Sequence, residues 1–89
     1  MTNTDNIIVY SLELCPNCEI LKKFLKEKEI SFIERDLSTA EAMAHLRING
    51  VFVREAPVLQ RGDKFLTTDA LFSGSGLRTE AVLSFIGDD

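Results

Sequence analysis

Apolar and polar positions alternate along this chain in blocks that predict strands and helices in turn. The first block, residues 7–10, is a continuous apolar run, which is typical of a strand buried on both faces. Proline is favoured in the first turn of a helix, and the apolar positions after Pro16 recur at helical spacing, so a helix is predicted from about residue 16 to 28. A weaker alternation over residues 31–36 predicts a second strand.

A second helix and a hairpin are predicted next. The sequence STAE at residues 38–41 has the pattern of a capping box, and the later Asn-Gly pair is a stop signal, so the helix runs from about residue 39 to 48. Residues 57–60 and 64–67 are short strand-like segments on either side of an Arg-Gly-Asp turn.

The last block predicts a C-terminal helix. After a polar, glycine-containing stretch at residues 73–76, apolar residues recur at helical spacing from Leu77 to Ile86, with Ser75 as the cap. The predicted order is therefore βαβαββα, an α/β fold in one domain that spans residues 1–89. Because a helix joins the first two strands, we expect those strands to be parallel.

Composition and charge limit the classes of function. Hydrophobic residues make up 45% and charged residues 27% of the 89-residue chain, an ordinary balance for a globular domain. The net charge is −4 and basic residues form no run, so neither nucleic acid nor an anionic membrane is expected as a partner. The polar start MTNTDN has no signal-peptide pattern, and no apolar run approaches the roughly 18 residues of a membrane helix. We therefore expect a cytoplasmic protein, acting as a monomer.

Both cysteines lie in one short motif, Cys15-Pro16-Asn17-Cys18, between the buried strand and the first helix. The first sulfur is near the helix cap, where unpaired N–H groups and the helix dipole stabilise a thiolate and lower the pKa of the thiol. Cys18 lies about one turn further on, close enough to attack a mixed disulfide on Cys15. A bridge between them would close a tiny loop, so a purely structural disulfide is a poor explanation. A redox pair is favoured, with Cys15 attacking and Cys18 resolving.

A metal site is the alternative explanation for the two cysteines. A structural zinc site needs about four ligands, and this chain offers only two cysteines and one histidine, His45. We expect His45 to be a surface or packing residue of the second helix, and we expect no bound metal. A zinc or iron–sulfur site would need ligands shared between subunits or supplied by a small thiol.

The CPxC motif after a Val-Tyr-Ser strand end, the βαβαββα order and an Ala-Pro pair before the third strand give the chain a family resemblance. Over nearly its whole length it resembles the glutaredoxin branch of the thioredoxin-like superfamily. The resemblance implies a thioredoxin-like fold with a central four-stranded mixed sheet. It also implies that Pro57 is cis and faces the cysteines, and that Ala56 offers backbone groups to an extended substrate. Pro16 and Asn17 are further expected substrate contacts.

Two departures point to a particular branch of that family. Glutathione-using glutaredoxins carry a lysine three residues before the first cysteine, where this chain has Leu12, followed by Glu13. The acidic residue that they carry after a glycine pair is also absent. Residues 75–80, Ser-Gly-Leu-Arg-Thr-Glu, are instead similar to the Ser-Gly-Phe-Arg-Pro-Asp motif of NrdH-type redoxins, although the tryptophan before that motif is missing. By this resemblance Ser75 and Gly76 are substrate contacts.

The resemblance implies a thiol–disulfide oxidoreductase that reduces protein disulfides by a dithiol mechanism. No Gly-x-Gly-x-x-Gly fingerprint is present, so no tightly bound nucleotide cofactor is expected and an external reductant must restore the dithiol. The NrdH resemblance implies a thioredoxin-reductase-like donor and ribonucleotide reductase as a client. A glutathione-dependent glutaredoxin, with a low-molecular-weight thiol as donor, is the first alternative. A cluster-carrying protein that uses the pair across a dimer and a redox-sensing binding module are the others.

Overall fold

The computed structural model describes residues 6–53, 55–74 and 76–87. In the first half of the chain, two strands each lead into a helix. Strand β1 (Ile7–Ser11) is followed by helix α1 (Pro16–Glu27), and strand β2 (Ile33–Asp36) is followed by helix α2 (Ala40–Ile48). These four elements match the predicted ones to within two residues at each end.

The second half of the chain begins with the predicted hairpin, continues with short elements that the sequence pattern did not predict, and ends with the predicted C-terminal helix. The hairpin strands are β3 (Val58–Arg61) and β4 (Lys64–Leu66). The remaining elements are short: helix α3 (Thr68–Leu71), strands β5 (Phe72–Ser73) and β6 (Gly76–Leu77), and helix α4 (Thr79–Ile86).

Four strands form the central sheet in the order β2-β1-β3-β4. Strands β1 and β2 are parallel and the other neighbours are antiparallel, so the sheet is mixed, as expected. The register pairs Ser11 with Asp36 and Tyr10 with Val58. The loop that leaves β1 and the loop that enters β3 therefore meet at the same end of the sheet, which brings Cys15 towards Pro57.

The turn between β3 and β4 has a simple local explanation. Arg61 pairs with Lys64, so only two residues connect the strands. Gly62, the first of them, has φ +60°, which glycine adopts without steric cost and which a tight hairpin requires. The Arg-Gly-Asp sequence is thus a hairpin turn, as predicted.

Helices cover both faces of the sheet. On one face, Val9 and Leu59 pack with residues of α1 and α4, including Leu21, Leu25 and Val82. On the other face, Tyr10 and Val58 pack with Ala42 and Leu46 of α2. None of the helices in the described part of the chain has the length and apolar character needed to cross a membrane.

The start of the C-terminal helix differs from the prediction. Helix α4 begins at Thr79 with Arg78 as its N-cap, so the predicted beginning after a cap at Ser75 is wrong; Ser75 itself lies outside the described residues. Leu77 instead belongs to β6, where it pairs with Phe72 of β5. Both side chains pack against the same core cluster as α4, which explains how Leu77 mimics the first position of the helical pattern.

Candidate active site

Cys15 and Cys18 form a disulfide at the start of α1. Cys15 is the N-cap residue, with an extended backbone, and its sulfur accepts a hydrogen bond from the backbone N–H of Cys18 at 3.1 Å. This bond satisfies one of the N–H groups that the first turn of a helix leaves unpaired. After reduction, the same N–H and the positive end of the helix dipole would stabilise a thiolate on Cys15.

The two sulfurs differ in their access to solvent. Cys18 is completely buried, at 0% exposure, in the cluster that contains Tyr10, Ala56 and Val58. Cys15 is only partly buried and packs at the edge of that cluster. An incoming sulfur can therefore reach Cys15 first, while Cys18 stays shielded one turn further along the helix.

The loop before β3 lies beside the disulfide. The peptide bond between Ala56 and Pro57 is cis, which confirms the expectation for this proline. Both residues are buried, and the carbonyl oxygen of Ala56 lies 3.8 Å from the Cys15 sulfur. The Thr68 hydroxyl donates a hydrogen bond of 2.9 Å to the Pro57 carbonyl, so the first turn of α3 holds this loop in place. No local sequence signal marks Thr68 as part of this site.

The structure brings together most of the residues expected to contact substrate. Pro16, exposed, and Asn17, half-buried, occupy the first turn of α1 beside Cys15, and Ala56 and Pro57 lie next to it. Gly76 lies in β6, opposite Ser73, in the ribbon that follows α3. Ser75 lies outside the described residues, and contact of Gly76 with substrate stays a prediction.

A small charged network links α1 to the end of β1 and to β2. Lys22 Nζ lies 2.8 Å from a Glu34 oxygen and 3.0 Å from a Glu19 oxygen, and the Ser11 hydroxyl donates to Glu34 at 2.6 Å. The hydrogen bond to Glu34, and then the one to Glu19, raise the pKa of Lys22 above its ordinary value. The hydrogen bonds from Lys22 and then from Ser11 lower the pKa of Glu34. Two carboxylates therefore already engage the Lys22 charge.

Two open clefts lie along the two loops that meet at the disulfide, and neither cleft is lined by a cysteine. The first, of about 420 Å³, is lined by the β1–α1 loop, α1 and β2, with Leu14 among its lining residues. The second, of about 230 Å³, lies between the loop before β3 and the junction of β4 and α3, with Phe52 among its lining residues. Both side chains are largely exposed, at 100% for Leu14 and 76% for Phe52. Sequence reasoning did not identify either residue. The signal that could have identified them is a large apolar residue inside a predicted loop.

Metal binding finds no support within the described residues. No group of three or more His, Cys, Asp or Glu side chains in this part of the chain is arranged to hold a metal ion. His45 is exposed on α2, with its ring 6.4 Å from the Phe65 ring. The histidine is thus a surface residue with one aromatic neighbour, in line with the expectation for it.

Comparisons with known proteins agree with this geometry. A family model for glutaredoxins matches residues 7–66, a segment that contains the four-stranded sheet, both cysteines and Pro57. The chain belongs to the glutaredoxin family. The fold is similar to the crystal structure of a mutant of the thioredoxin-like protein BC3987, with a TM-score of 0.69 and 22% sequence identity over 94% of this chain and 97% of that chain. No curated protein sequence matches the chain.

Membership of the glutaredoxin family and the paired cysteines indicate a thiol–disulfide oxidoreductase in general terms. The thioredoxin-like fold, with its four-stranded mixed sheet, is confirmed. The glutaredoxin match ends at Leu66, before α3. It therefore does not extend to Ser75 and Gly76, on which the resemblance to NrdH-type redoxins depends.

Proposed function

We propose that the protein reduces disulfides in other proteins by a dithiol mechanism and takes its electrons from a protein donor, as NrdH-type redoxins do. One observation carries this function: the disulfide joins a partly exposed N-cap cysteine to a buried cysteine in the next turn, with a Cα–Cα distance of 5.2 Å. Cys15 is placed to meet a substrate, and Cys18 is placed to react only with Cys15.

The reaction starts from the reduced protein. The Cys15 thiolate attacks one sulfur of the client disulfide, whose S–S bond breaks, and the displaced client sulfur leaves as a thiolate and takes up a proton. The new Cys15–client disulfide lies beside Ala56 and Pro57. Cys18 then loses its proton and attacks the Cys15 sulfur, which releases the second client thiol and leaves the Cys15–Cys18 disulfide. Two electrons and two protons reach the client, and the external donor must replace them.

The charges around the disulfide favour a protein donor over glutathione, which is an anion at neutral pH. Leu12 packs against the core cluster where glutathione-using members of the family carry a lysine. Glu13 beside it is exposed, and two carboxylates already engage Lys22. Like charges on a ligand and its site weaken binding. We infer a thioredoxin-reductase-like donor, and ribonucleotide reductase is the client that the NrdH resemblance suggests. The protein is further proposed to act in the cytoplasm as a monomer, without nucleic-acid or membrane partners.

The donor is tested by comparing two regeneration systems with insulin as the disulfide substrate. One system contains NADPH and thioredoxin reductase, and the other contains NADPH, glutathione reductase and glutathione. We expect turnover to be at least about tenfold faster with thioredoxin reductase, which corresponds to about 1.4 kcal/mol of transition-state stabilisation. Replacing the resolving thiol, Cys18→Ser, should stop turnover with thioredoxin reductase and, in the absence of glutathione, leave a mixed disulfide on Cys15 that mass spectrometry detects.

Other outcomes would change the conclusion in defined ways. Faster turnover with glutathione would make the protein a glutathione-dependent glutaredoxin and would leave the dithiol chemistry intact. Oxidation of the cysteines without any turnover would favour a redox-sensing binding module. If the protein were a coloured, iron-containing dimer without reductase activity, its function would instead be that of a cluster carrier that shares ligands between two subunits.

A further inference from the structure

Leu14, directly before Cys15, has a conformation and an exposure that the fold does not explain. Its φ of 54° lies in the left-handed region, which is sterically unfavourable for leucine and suits glycine or asparagine. Its side chain is completely exposed and gains nothing from burial. The turn into α1 would form more easily with a smaller residue. Its large apolar side chain is therefore available for contact with another molecule.

Phe52 provides a second exposed apolar side chain, four residues before the Ala56 carbonyl that lies beside Cys15. It lies in the loop that leads to Ala56 and Pro57, and it lines the smaller cleft. Val53, its neighbour in that loop, packs against the same cluster as Cys15. The two loops that meet at the disulfide thus each carry one large apolar residue whose side chain is turned to solvent.

The cleft beside Leu14 has an excess of negative charge. Its lining contains four carboxylates and two cations, namely Glu13, Glu19, Glu34 and Asp36 against Lys22 and Arg35. Glu19 and Glu34 already neutralise Lys22, so it offers little attraction to an anion. Glu13 is exposed beside Leu14 and is available to a cationic group.

The described residues that line the cleft beside Phe52 carry the same sign of charge. Among the described residues that line it, the ionisable ones are Glu55 and Asp69, both exposed, and the hydroxyl groups of Thr67 and Thr68 complete its polar lining. Arg54 lies outside the described residues. A cationic side chain in this cleft would meet two carboxylates and could also lie over the Phe52 ring, where a cation–π contact is favourable.

We propose that these two clefts form the client-binding surface, and that the client presents its disulfide in an extended segment with apolar and basic side chains beside the reactive cysteine. Apolar side chains of the client cover Leu14 and Phe52, and basic side chains lie against Glu13, Glu55 and Asp69. The same carboxylates repel glutathione and acidic segments, so charge selects among clients as well as attracting them. This surface rests on the proposed function, because it defines the substrates of that same disulfide.

The experiment uses two synthetic peptides of equal length, each with one disulfide and a leucine beside the reactive cysteine. One peptide carries lysines at two flanking positions and the other carries glutamates there. The reduced protein is mixed with each peptide in single-turnover reactions, which are acid-quenched and resolved by chromatography. The dependence of the rate on peptide concentration separates the half-saturating concentration, which reports binding, from the maximum rate, which reports the chemical step.

We expect the wild type to half-saturate at an at least about tenfold lower concentration of the lysine peptide, and we expect this difference to shrink as salt is added. Leu14→Asn keeps a residue that tolerates positive φ and removes the apolar surface. It should raise the half-saturating concentration for the lysine peptide about tenfold and change the maximum rate less than about twofold. The double variant Glu13→Lys, Glu55→Lys should prefer the glutamate peptide.

Ile48→Ser is the matched control. Ile48 is also a highly exposed apolar residue, at 83%. It is the last residue of α2, whose nine residues span roughly 13 Å, so it lies at the end of the helix away from the end of the sheet that carries the disulfide. This variant should match the wild type with both peptides. Urea unfolding of Leu14→Asn should give a midpoint no lower than that of the wild type, which shows that the variant is folded.

The outcomes distinguish this surface from the proposed function. Equal half-saturating concentrations for both peptides, unaltered in Leu14→Asn, would overturn the client-binding surface and leave the disulfide chemistry standing. A Leu14→Asn variant with a lower maximum rate and unchanged half-saturation would also overturn it, because Leu14 would then only position Cys15. A wild type that reduces neither peptide nor insulin would defeat the proposed function itself.

Discussion

The two ends of α1 each place a non-glycine residue at positive φ, and the reasons differ. At the C-terminal end, Glu29 has φ 59° and follows the cap residue Lys28. The N–H of Ile30 donates to the Leu25 carbonyl at 2.9 Å, and the N–H of Glu29 donates to the Lys26 carbonyl at 3.0 Å. This is the Schellman pattern, which ends a helix through one left-handed residue. Ile30 then packs against the core, so the conformation of Glu29 serves the fold.

At the N-terminal end, Leu14 adopts nearly the same φ, 54°, but precedes the helix instead of ending it. Cys15 already supplies the cap, through the hydrogen bond between its sulfur and the N–H of Cys18. The side chain of Leu14 is exposed beside the disulfide, whereas Ile30 at the other end is drawn into the core. One helix thus uses the same backbone conformation for folding at one end and, as we propose, for recognition at the other.

The largest expected effect comes from Cys15→Ser, which separates the chemistry of this end of the helix from its folding. Serine is a good N-cap residue but a far weaker nucleophile than a thiolate. Insulin reduction should fall by about 1,000-fold or more, while urea unfolding of the reduced protein should change by less than about 0.5 kcal/mol. Cys15→Ala, which also removes the cap, should cost about 1 kcal/mol of stability. A serine variant that retains turnover would refute the role of Cys15 as nucleophile.

A large effect on folding alone is expected from Leu25→Ala, near the other end of α1. Leu25 is fully buried in the core, so truncation removes apolar contacts and leaves a cavity. The free energy of unfolding should fall by about 2–5 kcal/mol, measured by urea denaturation. Turnover per folded molecule should change less than about twofold. Ile20→Ala, at an exposed position of the same helix, should cost less than about 1 kcal/mol. Equal losses for the two variants would contradict this view of the buried face.

The sequence pattern predicted those elements whose signals are local. The apolar run of β1 and the Pro16 start of α1 each arise within a few residues, and the structure has these elements where the pattern places them. Helix α2 also forms as predicted, but its capping box does not: Thr39 and not Ser38 is the N-cap, and its hydroxyl accepts a hydrogen bond from the N–H of Ala42. The β5–β6 ribbon escaped prediction because two-residue strands leave no periodic signal, and the pairing of Phe72 with Leu77 depends on packing against α4.

The residues of the candidate site likewise fall into those that a local sequence signal reveals and those that only the folded structure reveals. Cys15 and Cys18 were recognisable from their spacing at a helix start, and the cis peptide bond before Pro57 followed from the family resemblance. Thr68 was missed because its contact with the Pro57 carbonyl exists only after the β3–β4 hairpin returns the chain to this loop. The positive φ of Leu14 could not be predicted because leucine ordinarily adopts negative φ. A prediction from sequence rests on such ordinary preferences.

A smaller effect, of opposite sign, is expected from Glu29→Gly at the C-terminal end of α1. Glycine adopts positive φ without the steric cost that a side chain adds, although it also loses more conformational entropy on folding. We expect the free energy of unfolding to rise by about 0.5–1 kcal/mol in urea denaturation, with unchanged insulin reduction. Glu29→Ala retains a Cβ and should bring no such gain. Glycine and alanine variants of equal stability would show that the left-handed residue carries no cost at this end.

The smallest expected effect concerns the charged network that ties the first turns of α1 to β2. Hydrogen bonds from Lys22 and then from Ser11 hold the pKa of Glu34 below its ordinary value of 4.5. A lowered pKa means that the charged form stabilises the fold above pH 4.5 and that this contribution is lost as the pH falls through the pKa of the folded state. The Glu34 side chain is 46% exposed and partly screened by solvent, so the contribution at neutral pH should be at most about 1 kcal/mol. Urea unfolding of the wild type and Glu34→Gln should therefore differ most at pH 7, less in high salt, and hardly at all near pH 2.5. A difference that stays constant across this pH range would show that the charge of Glu34 does not hold this end of the helix to the sheet.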